Sequence, residues 1–213
     1  MTEFDAPFFV KICGLTTLGD ANAAINAGAS AVGLNLATSP RHLSLDRAFA
    51  IAEATRGRVL RTLVFRDNDD EFILHAQDLI DADVVQIHGP LSDELLQQLR
   101  QRDVRVIKAL SIASDEFYDF NESAVDAVLV DGENPGSGER HSWEELKDRS
   151  FVVPVIAAGG LSDENVAQVI AETNTWGVDS ASGVESSPGV KDRERMNLFV
   201  ANAQFAFRER DPS

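Results

Sequence analysis

Eight times along the chain, a short β-branched or apolar run gives way to a stretch with helical periodicity. The strand candidates read FFVKIC (8–13), SAVGLNL (30–36), VLRTLVF (59–65), DVVQIH (83–88), VRVIKAL (104–110), DAVLVD (126–131), VVPVIAA (152–158) and WGVDSAS (176–182). Between and after them the pattern predicts helices near 18–27, 44–56, 69–81, 92–101, 115–121, 143–148, 163–172 and 192–207. Ser44, Ser92 and Ser162 each open a helical stretch, offering a side-chain oxygen to the unpaired N–H groups of a first turn. Strand–helix–strand units permit a closed barrel or an open doubly wound sheet. Eight units favour closure, because open sheets of this kind usually stop at about five to seven strands. No Pro- or Ser-rich linker, charge run or close repeat divides the chain. Residues 1–213 therefore read as a single α/β domain, a (β/α)8 TIM barrel.

Composition narrows the function. The 19 Lys+Arg stand against 35 Asp+Glu, a formal net charge of -16, which repels polyphosphate backbones and argues against a nucleic-acid partner. Any phosphate on a small substrate must then be held locally, by backbone N–H groups or helix N-termini. Cys13 is the only cysteine, so neither an internal disulfide nor a multi-thiolate metal site is available. His, Cys and carboxylates show no ligand-type spacing, and no metal or cofactor is expected. The N-terminal segment lacks the features of a secretory signal, and no run is long enough to span a membrane. The chain reads as a cytoplasmic protein, expected to be a monomer.

Barrels of this type build their active sites at the C-terminal ends of the strands. Here those ends carry Cys13-Gly14, the segment leading to Arg41, His88-Gly89, Asp131-Gly132, Gly159-Gly160 and Ser182-Gly183. A sulfur, an arginine, a carboxylate and two glycine turns thus meet at one rim. The turns after strands 7 and 8 are the usual phosphate cradle, because glycine lets N–H groups come close to the oxygens. Taken alone, Cys13 could be an inert buried thiol and Asp131 a helix cap. His88 could contact substrate or be a hydrogen-bonded barrel residue.

Several segments resemble the phosphoribosylanthranilate isomerases. Val10-Lys11-Ile12-Cys13-Gly14-Leu15-Thr16 is similar to that family's opening signature. Val85-Gln86-Ile87-His88-Gly89 and Val106-Ile107-Lys108-Ala109 resemble its fourth and fifth strands. Ala158-Gly159-Gly160-Leu161, with Asn165-Val166, resembles the seventh. Gly177-Val178-Asp179, Ser182-Gly183-Val184-Glu185-Ser186 and Pro188-Gly189-Val190-Lys191-Asp192 resemble the eighth strand and its loop. The resemblance implies an aldose–ketose isomerase without metal or cofactor, performing an Amadori rearrangement in tryptophan biosynthesis. By position Cys13 matches the family's base, Asp131 its acid, and Arg41 the residue binding the anthranilate carboxylate. Backbone around Gly159, Gly160, Ser182 and Gly183 would hold the phosphate, helped by Gly136-Ser137-Gly138.

The chain departs from the family in two places. Its loop after strand 6 has Ser137, His141 and Ser142 where Thr, Phe and Asp are usual, while Gly138 and Trp143 keep their places. The loop before Ser39-Pro40-Arg41 is one residue shorter than usual, and Asn35 replaces an apolar residue. Rival readings are another phosphosugar barrel, such as an indole-glycerol-phosphate synthase, a pentose-phosphate epimerase or a bifunctional histidine/tryptophan isomerase, and a non-catalytic phosphate-binding barrel. The Cys13 and Asp131 pairing fits none of the enzymes. One expectation is geometric: Lys11 and Cys13 share the interior face of strand 1, and closure sets strand 8 beside it. A charge at Asp179 in an otherwise small and apolar strand then calls for a Lys11–Asp179 ion pair, expected to help depress the Cys13 pKa.

Overall fold

Each strand candidate is a near-continuous apolar run because a parallel strand in this fold is covered on both faces. The computed structural model, which describes residues 6–132, 143, 146–147 and 149–211, shows those runs closing on themselves. Strands β1 (Phe9–Ile12), β2 (Ala31–Asn35), β3 (Leu60–Arg66), β4 (Val84–His88), β5 (Arg105–Ser111), β6 (Ala127–Asp131), β7 (Val155–Ala157) and β8 (Gly177–Ser180) form a closed parallel barrel in sequence order. Closure is made by β1 and β8, with Lys11 directly opposite Asp179.

Alternate residues serve two cores. Phe9, Ala31, Val84, Ile107, Leu129 and Ile156 fill the barrel interior. Their neighbours, among them Val10, Val32, Leu63, Val85, Val106 and Val128, belong to a second cluster shared with the helices. Those helices are α1 (Leu18–Ala27), α2 (Leu45–Thr55), α3 (Asp70–Ile80), α4 (Asp93–Gln101), the short α5 (Glu116–Asp119), α6 (Val166–Glu172) and α7 (Arg193–Arg210). On α7 the buried residues Met196, Phe199, Val200, Ala203 and Phe207 recur at helical spacing and form one stripe against the barrel.

The start signals hold at Ser44 and Ser92, whose side chains accept N–H groups of Arg47 and Leu95. Ser162 differs from expectation. It lies ahead of α6 in a turn, accepting the Glu164 N–H at 3.3 Å while its own N–H reaches Asn165 Oδ1 at 2.8 Å. Asn165 Nδ2 also donates to the Gly160 carbonyl at 3.0 Å, so these side chains brace the glycine turn and the helix starts only at Val166. A small antiparallel hairpin, β9 (Glu185–Ser187) and β10 (Val190–Lys191), follows β8 and was not anticipated. The helix expected near 143–148 and the Gly136-Ser137-Gly138 loop fall largely or wholly outside the described residues.

Candidate active site

The C-terminal ends of the strands surround a cavity of about 260 Å³ whose lining includes Cys13, Arg41, His88 and Asp131. A smaller pocket of about 50 Å³ adjoins it, lined by Gly159, Gly160 and Ser182, and shares Asp131, Asp179 and Ala181 with it. Four separately predicted residues therefore meet in one cavity, and three of the four predicted loop residues meet beside it. The fourth, Gly183, lines neither. A Cβ there would run into the backbone of Leu161 and Ser162, so Gly183 lets the loops after β7 and β8 pack together. Gly138 is outside the described residues.

Backbone shape explains why glycine stands beside the acid. Gly159 has φ of 84°, and a Cβ on it would lie 2.6 Å from both Asp131 Oδ1 and the Gly132 nitrogen. The turn can therefore pass close over the Asp131 carboxyl, which accepts the Gly132 N–H at 2.9 Å. Gly14, with φ of 70°, plays the same part for Arg41, whose stem crosses the space a Cβ would need.

Beneath the cavity lies the expected ion pair, Lys11 Nζ to Asp179 Oδ2 at 2.7 Å, with Lys11 fully buried. Asp179 Oδ1 has no hydrogen-bond partner among the described residues. The pair does not have the expected net effect on the thiol. Burial pushes the Cys13 pKa up, and the positive charges of Lys11 and Lys191 only partly oppose it, with Asp179 adding to the rise. The net direction favours the protonated thiol, because the sulfur is buried among packed side chains.

His88 is a half-buried imidazole kept neutral. Its Nε2 lies 2.9 Å from Gln86 Nε2, and its Nδ1 lies 3.5 Å from Arg66 Nη2. Burial, followed by the charges of Arg66, Lys11 and Lys108, lowers its pKa to about 3. Of the two open readings of His88, the structure shows the hydrogen-bonded barrel residue, and it also places His88 on the cavity lining.

Arg41 is held firmly within the protein. Its Nε and Nη2 donate to the two oxygens of Glu185, each at 2.8 Å. Glu185 Oε1 also accepts from Lys191 Nζ at 2.7 Å. Sequence reasoning assigned neither Glu185 nor Lys191. The available signal was Pro188-Gly189 between two short runs, which marks a hairpin bringing both ends to one place. The loop carrying Arg41 is likewise braced: Asn35 Oδ1 accepts from Ala37 N–H at 2.8 Å and Asn35 Nδ2 donates to Ser39 Oγ at 3.0 Å. Ser39 Oγ in turn accepts the Arg41 N–H at 3.0 Å. Among the described residues, no three His, Cys, Asp or Glu side chains are clustered so as to hold a metal ion. No described helix is long and apolar enough to cross a membrane.

An eight-stranded parallel barrel whose mouth gathers a thiol, a carboxylate, a clamped guanidinium and a glycine-walled pocket has the architecture of a (β/α)8-barrel enzyme. Relatives sharpen that class. A family model described as N-(5'phosphoribosyl)anthranilate (PRA) isomerase matches residues 10–202. An N-(5'-phosphoribosyl)anthranilate isomerase from Geobacter sp. (strain M21) is 37% identical over 201 residues, spanning 92% of this chain and 97% of that one. The solved phosphoribosyl anthranilate isomerase from Thermus thermophilus aligns with a TM-score of 0.80 at 37% identity, covering 92% of this chain and 98% of its own. A further solved member, in complex with reduced 1-(o-carboxyphenylamino)-1-deoxyribulose 5-phosphate, matches at 30% identity and TM-score 0.80 over 93% of this chain and 99% of that one. The chain belongs to the N-(5'-phosphoribosyl)anthranilate isomerase family.

Proposed function

We propose that this chain isomerises N-(5'-phosphoribosyl)anthranilate to the corresponding 1-amino-1-deoxyribulose phosphate, with Asp131 as acid and Cys13 as base. The observation that carries the reading is one cavity lined by both groups, with Arg41 also on its wall and a glycine-walled pocket beside it. Asp131 gives its proton to the ring oxygen, the furanose opens, and the former C1–N bond becomes a protonated imine. That cation acidifies the C2 proton, which Cys13 removes, and the resulting enolamine tautomerises to the ketone. Burial holds the resting thiol protonated. The imine cation, generated beside it in a site of low dielectric, then favours loss of the thiol proton to solvent through the cavity mouth, leaving the thiolate that takes up the C2 proton.

The substrate's phosphate sits in the pocket walled by Gly159, Gly160 and Ser182, with Gly183 allowing its two loops to pack. The Gly136-Ser137-Gly138 loop contributes further N–H groups. Arg41 takes the anthranilate carboxylate, and neutral His88 contacts substrate at the opposite strands. The protein acts as a cytoplasmic monomer formed of one domain. Purified protein should consume freshly generated phosphoribosylanthranilate with loss of its fluorescence, EDTA making no difference, and should sediment as one chain of 23.2 kDa. A folded sample without turnover would defeat the assignment.

A further inference from the structure

A guanidinium presents two edges that can each offer parallel N–H groups to a carboxylate, one through Nε and one end-on through both Nη atoms. In Arg41 the first edge is already taken, by Glu185 at 2.8 Å on each side. Nη1 makes no protein hydrogen bond among the described residues, is not a sealed atom, and belongs to a side chain on the cavity wall. The stem passes over Gly14, where the missing Cβ leaves room for it.

Charge counting explains the third member of the cluster. An Arg41–Glu185 pair alone would be neutral and would turn a carboxylate charge toward any incoming anion. Lys191 corrects this: its buried Nζ donates to Glu185 Oε1 at 2.7 Å and to the Ala181 carbonyl at 2.8 Å. The triad then carries one excess positive charge. The nearby Lys11–Asp179 pair adds none. Burial pushes the Glu185 pKa up, but the hydrogen bonds from Arg41 and Lys191 outweigh it and hold the carboxyl below its usual range.

We infer that Glu185 is a positioning residue for the substrate's carboxylate: held by Lys191, it occupies one edge of Arg41 and thereby aims the other edge into the cavity. This rests on the reading of Arg41 above and goes beyond it, because it explains how a long flexible side chain is ready before substrate arrives. An unclamped arginine would surrender rotamer freedom on binding.

The test compares two reduced open-chain ribulose 5-phosphate analogues, one bearing a carboxyphenylamino group and one a phenylamino group, by titration calorimetry on the full chain. Wild type should prefer the carboxylate analogue. Glu185→Gln should weaken that analogue about tenfold or more, the scale of one lost charge-assisted hydrogen bond, and leave the phenylamino analogue within about twofold. In turnover the loss should fall mainly on KM. Equal weakening of both analogues would make Glu185 merely structural, and no weakening of either would remove it from binding; both overturn the inference. A wild-type protein without preference for the carboxylate analogue would instead strike at the role of Arg41. Should Glu185→Gln fail to fold, nitrogen-15 NMR of the wild type decides, with Arg41→Lys assigning the signal. The Arg41 Nε–H should stay hydrogen-bonded and slow to exchange with and without the carboxylate analogue. A released Nε–H on binding would mean that Glu185 is displaced and does not position Arg41.

Discussion

The two rims of the barrel hold the same kind of ion pair and use it differently. At the N-terminal rim, Asp83 takes the Nε and Nη2 edge of buried Arg61 at 2.8 and 2.9 Å, as Glu185 does for Arg41 at the opposite rim. Asp83 also accepts the Arg61 backbone N–H at 2.8 Å, and Asp126 repeats the arrangement with Val106 N–H at 2.8 Å and Arg105. These aspartates stand just before β4 and β6, so each ties the start of one strand to its neighbour. The remaining Nη1 of Arg61 is sealed in protein without a partner among the described residues, whereas that of Arg41 is not sealed and belongs to a side chain on the cavity wall. The groove at the N-terminal rim is also the larger, about 800 Å³ against about 260 Å³. Volume therefore does not locate the chemistry. What marks the working rim is hydrogen-bonding capacity left open toward space a ligand can fill.

The largest expected effects belong to the C-terminal rim and fall on rate. Cys13→Ser and Asp131→Asn should each lower turnover by about a thousandfold or more, since each removes a proton-transfer partner. Thermal midpoints should stay near wild type. Substrate deuterated at C2 separates the roles: Cys13→Ser should show a large primary isotope effect on its remaining turnover, and Asp131→Asn little. The reverse pattern would exchange acid and base.

The N-terminal rim should show the complementary behaviour. Asp83→Asn leaves the buried guanidinium of Arg61 without its counter-charge. Loss of one partner from a fully buried pair costs about 3–5 kcal/mol, and the partial exposure of Asp83 reduces this to about 2–3 kcal/mol. That corresponds to a fall of about 5–10 °C in Tm for a chain of this size. Turnover below the melting range should be unchanged. A folded Asp83→Asn protein with impaired kcat would break the division between the rims.

A smaller effect distinguishes the rims by pH. Above pH 6.5 the His88 ring is neutral both folded and unfolded and contributes no pH dependence. Below that the unfolded ring takes up a proton that the folded one refuses until about 3, so stability falls as pH drops through this window, by at most about 1.4 kcal/mol per unit. Between pH 6.5 and 5, wild type should lose about 1.5 kcal/mol more than His88→Gln in urea unfolding. Equal losses would mean that the ring is protonated readily and is not held neutral by its neighbours.

What was legible in the sequence follows from how local its cause is. The eight strands could be read because burial on both faces writes a continuous apolar run into each one. Lys11–Asp179 could be read because period-two alternation and closure leave those charges facing each other. Ser162 misled because a serine before an acidic turn looks the same whether it caps a helix or braces a loop. The rise of the Cys13 pKa was missed because depth of burial is a property of the assembled rim. Glu185 and Lys191 were missed as functional residues because their meaning depends on Arg41, 144 positions from Glu185 along the chain.

The smallest prediction concerns Asn35, at the start of the loop that carries Arg41. At position 35 an apolar side chain would remove two of the hydrogen bonds within the loop before Arg41. In this chain Asn35 supplies an acceptor to Ala37 N–H and a donor to Ser39 Oγ, and the same hydroxyl receives the Arg41 N–H. The loop backbone is thus secured by the side chains of Asn35 and Ser39, while the Arg41 head is secured separately by Glu185. Asn35→Leu should remove the first restraint and keep the second. Two partly exposed neutral hydrogen bonds worth about 0.5 kcal/mol each sum to about 1 kcal/mol, so KM should rise about three- to fivefold, with kcat within about twofold. The Arg41 Nε–H signal should remain, since its partner is untouched. If that signal vanishes in Asn35→Leu, the loop and the clamp are one device, and the open edge of Arg41 is set by the loop as much as by the carboxylate behind it.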